Sequence, residues 1–172
     1  MAITDTLTSK LEINLNAKLS RIGGGGHRGE DTLTRSILQA FSEGSGNNEA
    51  SCWLSTTFTA TTSGVTISLA DSVNPLGAAS DDVPTADPEG LDLRLLIIEN
   101  KDDTNFITVG LGSNGVTQWL GGTDPTIKIP AGGVLVQTFP QDIGALNDGV
   151  DDEIVIKGVT ADCVVELSVL YG

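Results

Sequence analysis

The feature that most constrains the fold of this chain is a series of short apolar runs separated by turn-forming residues in its C-terminal half. The runs recur about every 8–12 residues, and clusters such as Pro130-Ala131-Gly132-Gly133 separate nearly all of them. This spacing is typical of β-sandwiches and jelly rolls, and no segment predicts the crossover helices that a parallel α/β fold needs. We therefore predict an all-β chain, an antiparallel β-sandwich of jelly-roll type in a single domain. The predicted strands of this half are Leu91–Glu99, Phe106–Gly110, Val116–Leu120, Thr126–Ile129, Val134–Phe139, Ile154–Val159 and Val164–Tyr171.

Strict alternation of apolar and polar residues marks a further strand near the N-terminus. A period of two is the pattern of a β-strand with two different faces. The run Gly23–Gly26 follows, and because glycine leaves the backbone unrestricted, it predicts a hinge. We therefore expect an extended N-terminal arm over residues 1–30, made of a strand and a glycine hinge, and a β-sandwich domain over residues 31–172. The alternating apolar residues are Leu11, Ile13, Leu15, Ala17 and Leu19.

Residues 31–90 contain three further predicted strands and one long loop. Thr32–Phe41 fits a strand, although Leu33, Ile37 and Ala40 with Asp31 as a cap also fit a helix. The turn cluster at residues 43–48 favours the strand, paired as a long hairpin with Ala50–Ala60. Val65–Leu69 alternates as a short strand, and the proline-containing, acidic stretch Asp71–Gly90 predicts a long exposed loop.

Charge excludes two classes of partner. The chain of 172 residues has a formal net charge of −14, and residues 51–172 contain four basic and seventeen acidic side chains. A body of about −13 repels phosphate, so we expect neither nucleic-acid binding nor binding to an anionic membrane. The chain also lacks an apolar run long enough to span a bilayer and a signal-peptide pattern at its start, so we expect a soluble protein made in the cytosol.

No set of residues predicts an active site. The single histidine, His27, follows the glycine run without a Ser or Cys partner, and that run lacks the Lys-Ser/Thr of a phosphate-binding loop. Cys52 and Cys163 lack metal-ligand spacing and are interpreted as buried thiols. We therefore expect no enzyme, no catalytic residue, no cofactor and no metal, and solvated carboxylates in the acidic turns, with calcium binding as the alternative there. The acidic turn residues are Asp102, Asp103, Asp148, Asp151, Asp152 and Glu153.

Three segments together form a recognisable set. Leu95–Gly110 is an apolar strand, an Asn, a short polar turn, and then Asn, an aromatic residue, two further residues and Val-Gly. Ile127–Val136 presents a Pro-x-Gly-Gly turn before the next apolar strand, and Asp5–Leu11 leads into the alternating strand. The chain resembles the small β-sandwich virion proteins of tailed bacteriophages over most of its length. These motifs are structural, so the resemblance supplies no catalytic residue.

The resemblance implies a structural component of a virus particle. We expect a capsid decoration or cement protein, assembled in the bacterial host cytoplasm into the virion, that binds the major capsid protein or another virion protein. We also expect a homo-oligomer, with a trimer favoured, in which an N-terminal strand docks on a neighbouring chain. The alternative is a tail or head-tail accessory module that binds a host-surface glycan or receptor through the Asp71–Gly90 loop. The expected partner-binding residues are Leu11, Ile13, Leu15 and Leu19.

Overall fold

A computed structural model describes residues 9–22, 28–43, 49–50, 52–70, 91–113, 115–120, 125–139 and 152–172. These residues form eleven strands and one short helix. In chain order the elements are β1 (Ser9–Ile22), β2 (Arg28–Glu43), β3 (Glu49–Ala50), β4 (Cys52–Ala60), β5 (Val65–Ser68), β6 (Leu93–Asn100), β7 (Ile107–Leu111), α1 (Thr117–Leu120), β8 (Thr126–Ile129), β9 (Val134–Thr138), β10 (Glu153–Gly158) and β11 (Cys163–Tyr171).

The eight strands β4 to β11 form two antiparallel sheets with the strand order of a jelly roll. The first sheet has the order β4-β11-β6-β9 and the second β5-β10-β7-β8. The pairs are nested, since β4 pairs with β11, β5 with β10, β6 with β9 and β7 with β8. This is the double-sheet arrangement of two Greek keys, and it confirms the predicted all-β sandwich.

Alternate residues of these strands fill the space between the two sheets. In β11, every second residue from Cys163 is buried, whereas Val164 is exposed. Burying one such aliphatic side chain stabilises the fold by roughly 1.5–3 kcal/mol. The core is therefore shared by the two sheets, and the following residues belong to it: Phe58, Leu96, Ile98, Val165, Leu167, Tyr171, Ile67, Ile107, Val109, Ile129, Ile154 and Ile156.

A buried arginine links the end of β11 to the residues around the start of β6. Arg94 is 1% exposed, and its Nη2 donates to Asp92 Oδ2 at 3.2 Å and to the Gly172 carbonyl oxygen at 3.3 Å. Asp92 and Gly172 also exchange two backbone hydrogen bonds of 2.9 and 3.0 Å. The guanidinium therefore holds the end of β11 in register beside the residues that precede β6.

The predicted strands of the C-terminal half are found within two residues of their expected bounds, with one exception. Val116–Leu120 was expected as a strand, but Thr117–Leu120 is a single helical turn, and Trp119 N donates to the Val116 carbonyl at 3.1 Å. This prediction is wrong because the apolar spacing of five residues fits a turn of helix as well as a strand. Thr32–Phe41 lies within a strand, as favoured, and that strand extends over Arg28–Glu43.

The expected hairpin between Thr32–Phe41 and Ala50–Ala60 is wrong. β2 pairs with β1, and β4 pairs with β11 over nine positions. The turn signals at residues 43–48 indicate a reversal, but they do not determine which strand pairs with which. The expected Asp71–Gly90 loop and the Gly23–Gly26 hinge lie outside the described residues.

Candidate assembly surface

The N-terminal strands form a long antiparallel ribbon. β1 and β2 pair over fourteen positions, from Ser9 opposite Phe41 to Ile22 opposite Arg28. We call these two paired strands, residues 9–22 and 28–43, the ribbon. At about 3.4 Å per residue, a strand of this length extends for almost 50 Å.

The register places the alternating apolar positions of β1 on one face of the ribbon. Directly opposite residues of an antiparallel pair share a face, and Ile13 lies opposite Ile37 and Ala17 opposite Leu33. The opposite face holds polar positions such as Asn14 opposite Ser36. The four expected partner-binding residues therefore occupy one face, together with two apolar positions of β2. This face, which we call the apolar face, contains Leu11, Ile13, Leu15, Leu19, Leu33 and Ile37, and it also contains Asp31, Arg35 and Gln39 of β2.

The ribbon joins the sandwich at a buried alanine. β3 pairs in parallel with the end of β2, with Ser42 opposite Glu49 and Glu43 opposite Ala50. Ala50 is fully buried and packs with Leu170 and Leu95 in a small apolar cluster separate from the main core. The base of the ribbon is therefore attached to the outer side of the first sheet.

The strand expected in the N-terminal arm, β1, is paired along one of its edges. Among the described residues, β1 is the outer strand of a three-stranded sheet with the order β1-β2-β3, so one of its edges is paired and the other is at the sheet edge. The boundary expected between residues 30 and 31 falls inside β2. The N-terminal element is therefore a two-stranded ribbon with β1 at its edge.

The two motif segments of the β-sandwich meet around one buried side chain. Asn100 is fully buried at the end of β6, and its Nδ2 lies within hydrogen-bonding distance of the carbonyl oxygens of Asn105 at 2.9 Å and Pro130 at 3.0 Å. Its Oδ1 accepts from the backbone N–H of Asp102 at 3.1 Å. Since Asn100 belongs to the first motif and Pro130 to the second, their common role is to join turns at one end of the sandwich.

Asp102 organises the turn that follows Asn100. Its Oδ1 accepts from the backbone N–H of Asn105 at 2.6 Å and of Thr104 at 2.9 Å. These two backbone hydrogen bonds, in that order, lower the pKa of the Asp102 carboxyl from its ordinary value. This carboxylate has a structural role in the turn.

The other acidic turn residues differ from the expectation at one position. Asp152 is 1% exposed, so its interpretation as a solvated carboxylate is wrong, and its Oδ2 accepts a hydrogen bond from Ser68 Oγ. Asp148 and Asp151 lie outside the described residues. Within the described ranges, no group of three or more His, Cys, Asp or Glu side chains is placed to hold a metal ion.

The cysteines lie at opposite ends of the β4–β11 pair. Cys163 is opposite Ala60 and Cys52 is opposite Tyr171, eight residues along the strand, a separation of about 27 Å at the usual rise. A disulfide requires the two Cα atoms to lie within about 7 Å, so these two residues of one chain cannot be bridged. Cys163 is buried, as expected, and its burial raises the pKa of its thiol.

Trp119, whose exposure would favour a sugar-binding surface, packs against the main core and is half-buried. The second tryptophan, Trp53, lies on β4, and its side chain is outside the description.

No helix among the residues that the structure describes is long and apolar enough to cross a bilayer. Comparison of the chain with models of known protein families and with curated proteins finds no match.

Proposed function

We propose that this chain is a non-enzymatic structural protein of a tailed-bacteriophage virion, a capsid decoration or cement protein that self-associates and binds the major capsid protein or another virion protein. Two features support this proposal. The sandwich has the strand order of a jelly roll, an architecture that viral capsid domains and lectins share. The motif segments around Asn100 and Pro130 carry the resemblance to phage virion proteins.

The observation that carries the proposal is the two-sided ribbon. A two-stranded hairpin is marginally stable in water unless its apolar face packs against another structure. The ribbon has an apolar face along most of β1, and its base is fixed to the sandwich at Ala50. We infer that the apolar face is buried on assembly, where it attaches each subunit to a neighbouring protein.

The edge of β1 offers a second means of attachment. A strand at the edge of a sheet presents unpaired backbone N–H and C=O groups, to which a strand of another protein can add. β1 provides fourteen residues of such an edge. A partner strand there would form main-chain hydrogen bonds while the apolar face provides the buried area.

The proposal is tested with full-length variants that add the same charge to opposite faces of the ribbon. Ile13→Asp with Ile37→Asp places two carboxylates on the apolar face. Asn14→Asp with Ser36→Asp places them on the polar face at neighbouring positions. Binding to heads assembled from the major capsid protein of the same phage is measured by co-sedimentation.

We expect the first variant to bind roughly a hundredfold more weakly, because two buried aliphatic side chains are lost and two charges are desolvated. The second variant should bind like the unchanged protein. Equal binding by both variants, with circular dichroism showing both folded, would contradict the role of the ribbon. Binding to a host-surface glycan instead of heads would support the adhesion alternative and overturn the decoration role.

A further inference from the structure

Two of the four basic residues in 51–172 are neutralised by nearby acidic groups. Arg94 is buried with its Nη2 3.2 Å from Asp92 Oδ2. Lys101 Nζ lies 2.9 Å from a carboxylate oxygen of Glu99 and 2.9 Å from one of Glu166, and hydrogen bonds to Glu99 and then Glu166 raise its pKa. These two cations are therefore engaged within their own subunit.

The other two, Lys128 and Lys157, lie on one face of the second sheet. Lys157 on β10 is opposite Thr108 on β7, and Thr108 is opposite Lys128 on β8. We call these three residues the lysine row. Both lysines are exposed, and among the described residues neither has a carboxylate within ion-pair distance. Their strands are two spacings apart, about 10 Å, and Lys128 Nζ lies 3.3 Å from the centre of the Phe106 ring.

A groove of about 180 Å³ lies beside the lysine row on the same sheet face. Gly110 forms part of it, with Val155 and Thr126 on the neighbouring strands and Pro125 at one end. A Cβ atom at Gly110 would lie 3.4 Å from the Pro125 carbonyl oxygen and from Thr126 Cγ2, so the missing side chain leaves the sheet surface open there. A glycine within a strand often marks a place where another backbone approaches closely.

The segment between β5 and β6 carries charge opposite to that of the lysine row. Residues 71–90 contain five acidic side chains and no basic ones. The segment connects the end of the sandwich strand β5 to the start of β6. Its acidic residues are Asp71, Asp81, Asp82, Asp87 and Glu89.

We propose that the lysine row and its groove bind the acidic segment 71–90 of a second copy of this chain. The inference rests on the self-association in the proposed function and identifies the surface that carries it. Two bodies of about −13 repel each other, and a contact between them is favoured where carboxylates of one copy meet cations of the other. Among the described residues of 51–172, the lysine row contains the exposed lysines that have no carboxylate within ion-pair distance.

The proposed contact has a consequence for symmetry. The lysine row and the acidic segment are different parts of the chain, so each copy offers one of each and the proposed interface is head-to-tail. A head-to-tail contact closes into a ring when the rotation between copies permits. A closed trimer would satisfy every lysine row and every acidic segment.

The test measures solution mass by light scattering at about 0.05 M and about 1 M NaCl, since salt screens contacts between exposed charges. We expect the unchanged protein to be an oligomer at low salt and to dissociate at high salt. Lys128→Glu with Lys157→Glu should weaken association roughly a hundredfold, because like charges would then face each other. Two single variants each remove one positive charge: Lys157→Gln removes it from the lysine row, and Lys101→Gln, the control, removes it elsewhere. Only Lys157→Gln should weaken association.

Charge exchange within one chain separates this contact from a general effect of charge. Adding Asp81→Lys and Asp82→Lys to the Lys128→Glu, Lys157→Glu variant should restore the oligomer. Each of three results would overturn the inference. The lysine changes could leave the oligomer unaffected, the unchanged protein could be a monomer at both salt concentrations, or the variants could lose thermal stability without a change in mass. Head binding by the unchanged protein, measured by co-sedimentation, reports on the proposed function independently of these outcomes.

Discussion

Asn100 connects several segments of the sandwich through one side-chain amide. Its Nδ2 group faces carbonyl oxygens of the turn after β6 and of the β8–β9 turn, and its backbone N–H donates to the Gly133 carbonyl at 2.9 Å. The sequence shows an Asn before a polar turn, but it does not show that Pro130 lies beside it. The residue could be singled out from the sequence, whereas its partners could not.

Replacing Asn100 with alanine is expected to lower the free energy of unfolding by about 2–4 kcal/mol, because buried carbonyl groups would lose their donor. Urea unfolding at neutral pH measures the change. Ser113→Ala, at an exposed position, is the control and should stay within about 0.5 kcal/mol of the unchanged protein. An equally small effect at Asn100 would show that water replaces the amide at no cost.

Asp102→Asn is expected to remove a pH-dependent part of the stability. The folded-state pKa of Asp102 is lowered by the backbone N–H groups of Asn105 and Thr104, so its contribution is fully present above the unfolded pKa of about 3.9. It is lost as the pH falls through the lower, folded-state pKa. The difference in unfolding free energy between the two proteins should therefore be greatest above about pH 5 and shrink at more acidic pH.

Urea unfolding at several pH values between about 2 and 7 checks this prediction. Asp103→Asn is the matched control, since it removes the same charge from the exposed neighbouring side chain. If both variants lose stability equally at every pH, the hydrogen-bonded turn has no special effect.

At the scale of elements, local pattern predicts which segments are strands but not how they pair. Thr126–Ile129 is a strand with the bounds that were expected, because alternation and the following Pro-Ala-Gly-Gly turn are both local signals. The partner of β4 is β11, more than one hundred residues away, and no local signal specifies that register. The alternation within each strand assigns Lys128 and Lys157 to outward positions. Their place in one row depends on the pairing of both strands with β7, which no local signal specifies.

The ribbon register can be tested by cross-strand disulfides. In a Cys52→Ser background, which leaves only the buried Cys163, Ile13→Cys with Ile37→Cys places two cysteines directly opposite. We expect this variant to form an intramolecular disulfide in oxidising buffer, detected by gel mobility and mass. Ile13→Cys with Leu38→Cys is the control, because a shift of one residue puts the cysteines on opposite faces. Equal crosslinking in both variants would contradict the register.

At the scale of the whole molecule, the nested strand order makes the fold dependent on contacts between distant residues. The Ser55 and Ser168 hydroxyl groups lie 2.9 Å apart although 113 residues separate them in the chain. The central position of β11, between β4 and β6, requires nearly the entire sandwich segment before the first sheet is complete. Composition and spacing predict the two-sheet architecture, whereas the strand order follows from these distant contacts.

We therefore expect slow folding, in the range of milliseconds to seconds, as for other β-sandwiches dominated by distant contacts. Stopped-flow dilution from urea, followed by tryptophan fluorescence, measures the rate. The Ile13→Asp, Ile37→Asp ribbon variant is a useful control, since its sandwich should fold at the same rate. Folding within microseconds would contradict this expectation.

The attachment of the ribbon through β3 to β4 also determines how the subunit would carry mechanical load. β4 is an edge strand, and nine paired positions join it to β11. A pull along the strand axis loads those nine positions together, whereas a pull perpendicular to it opens them one after another. A subunit held by its ribbon would therefore resist tension parallel to β4 better than lifting away from β11.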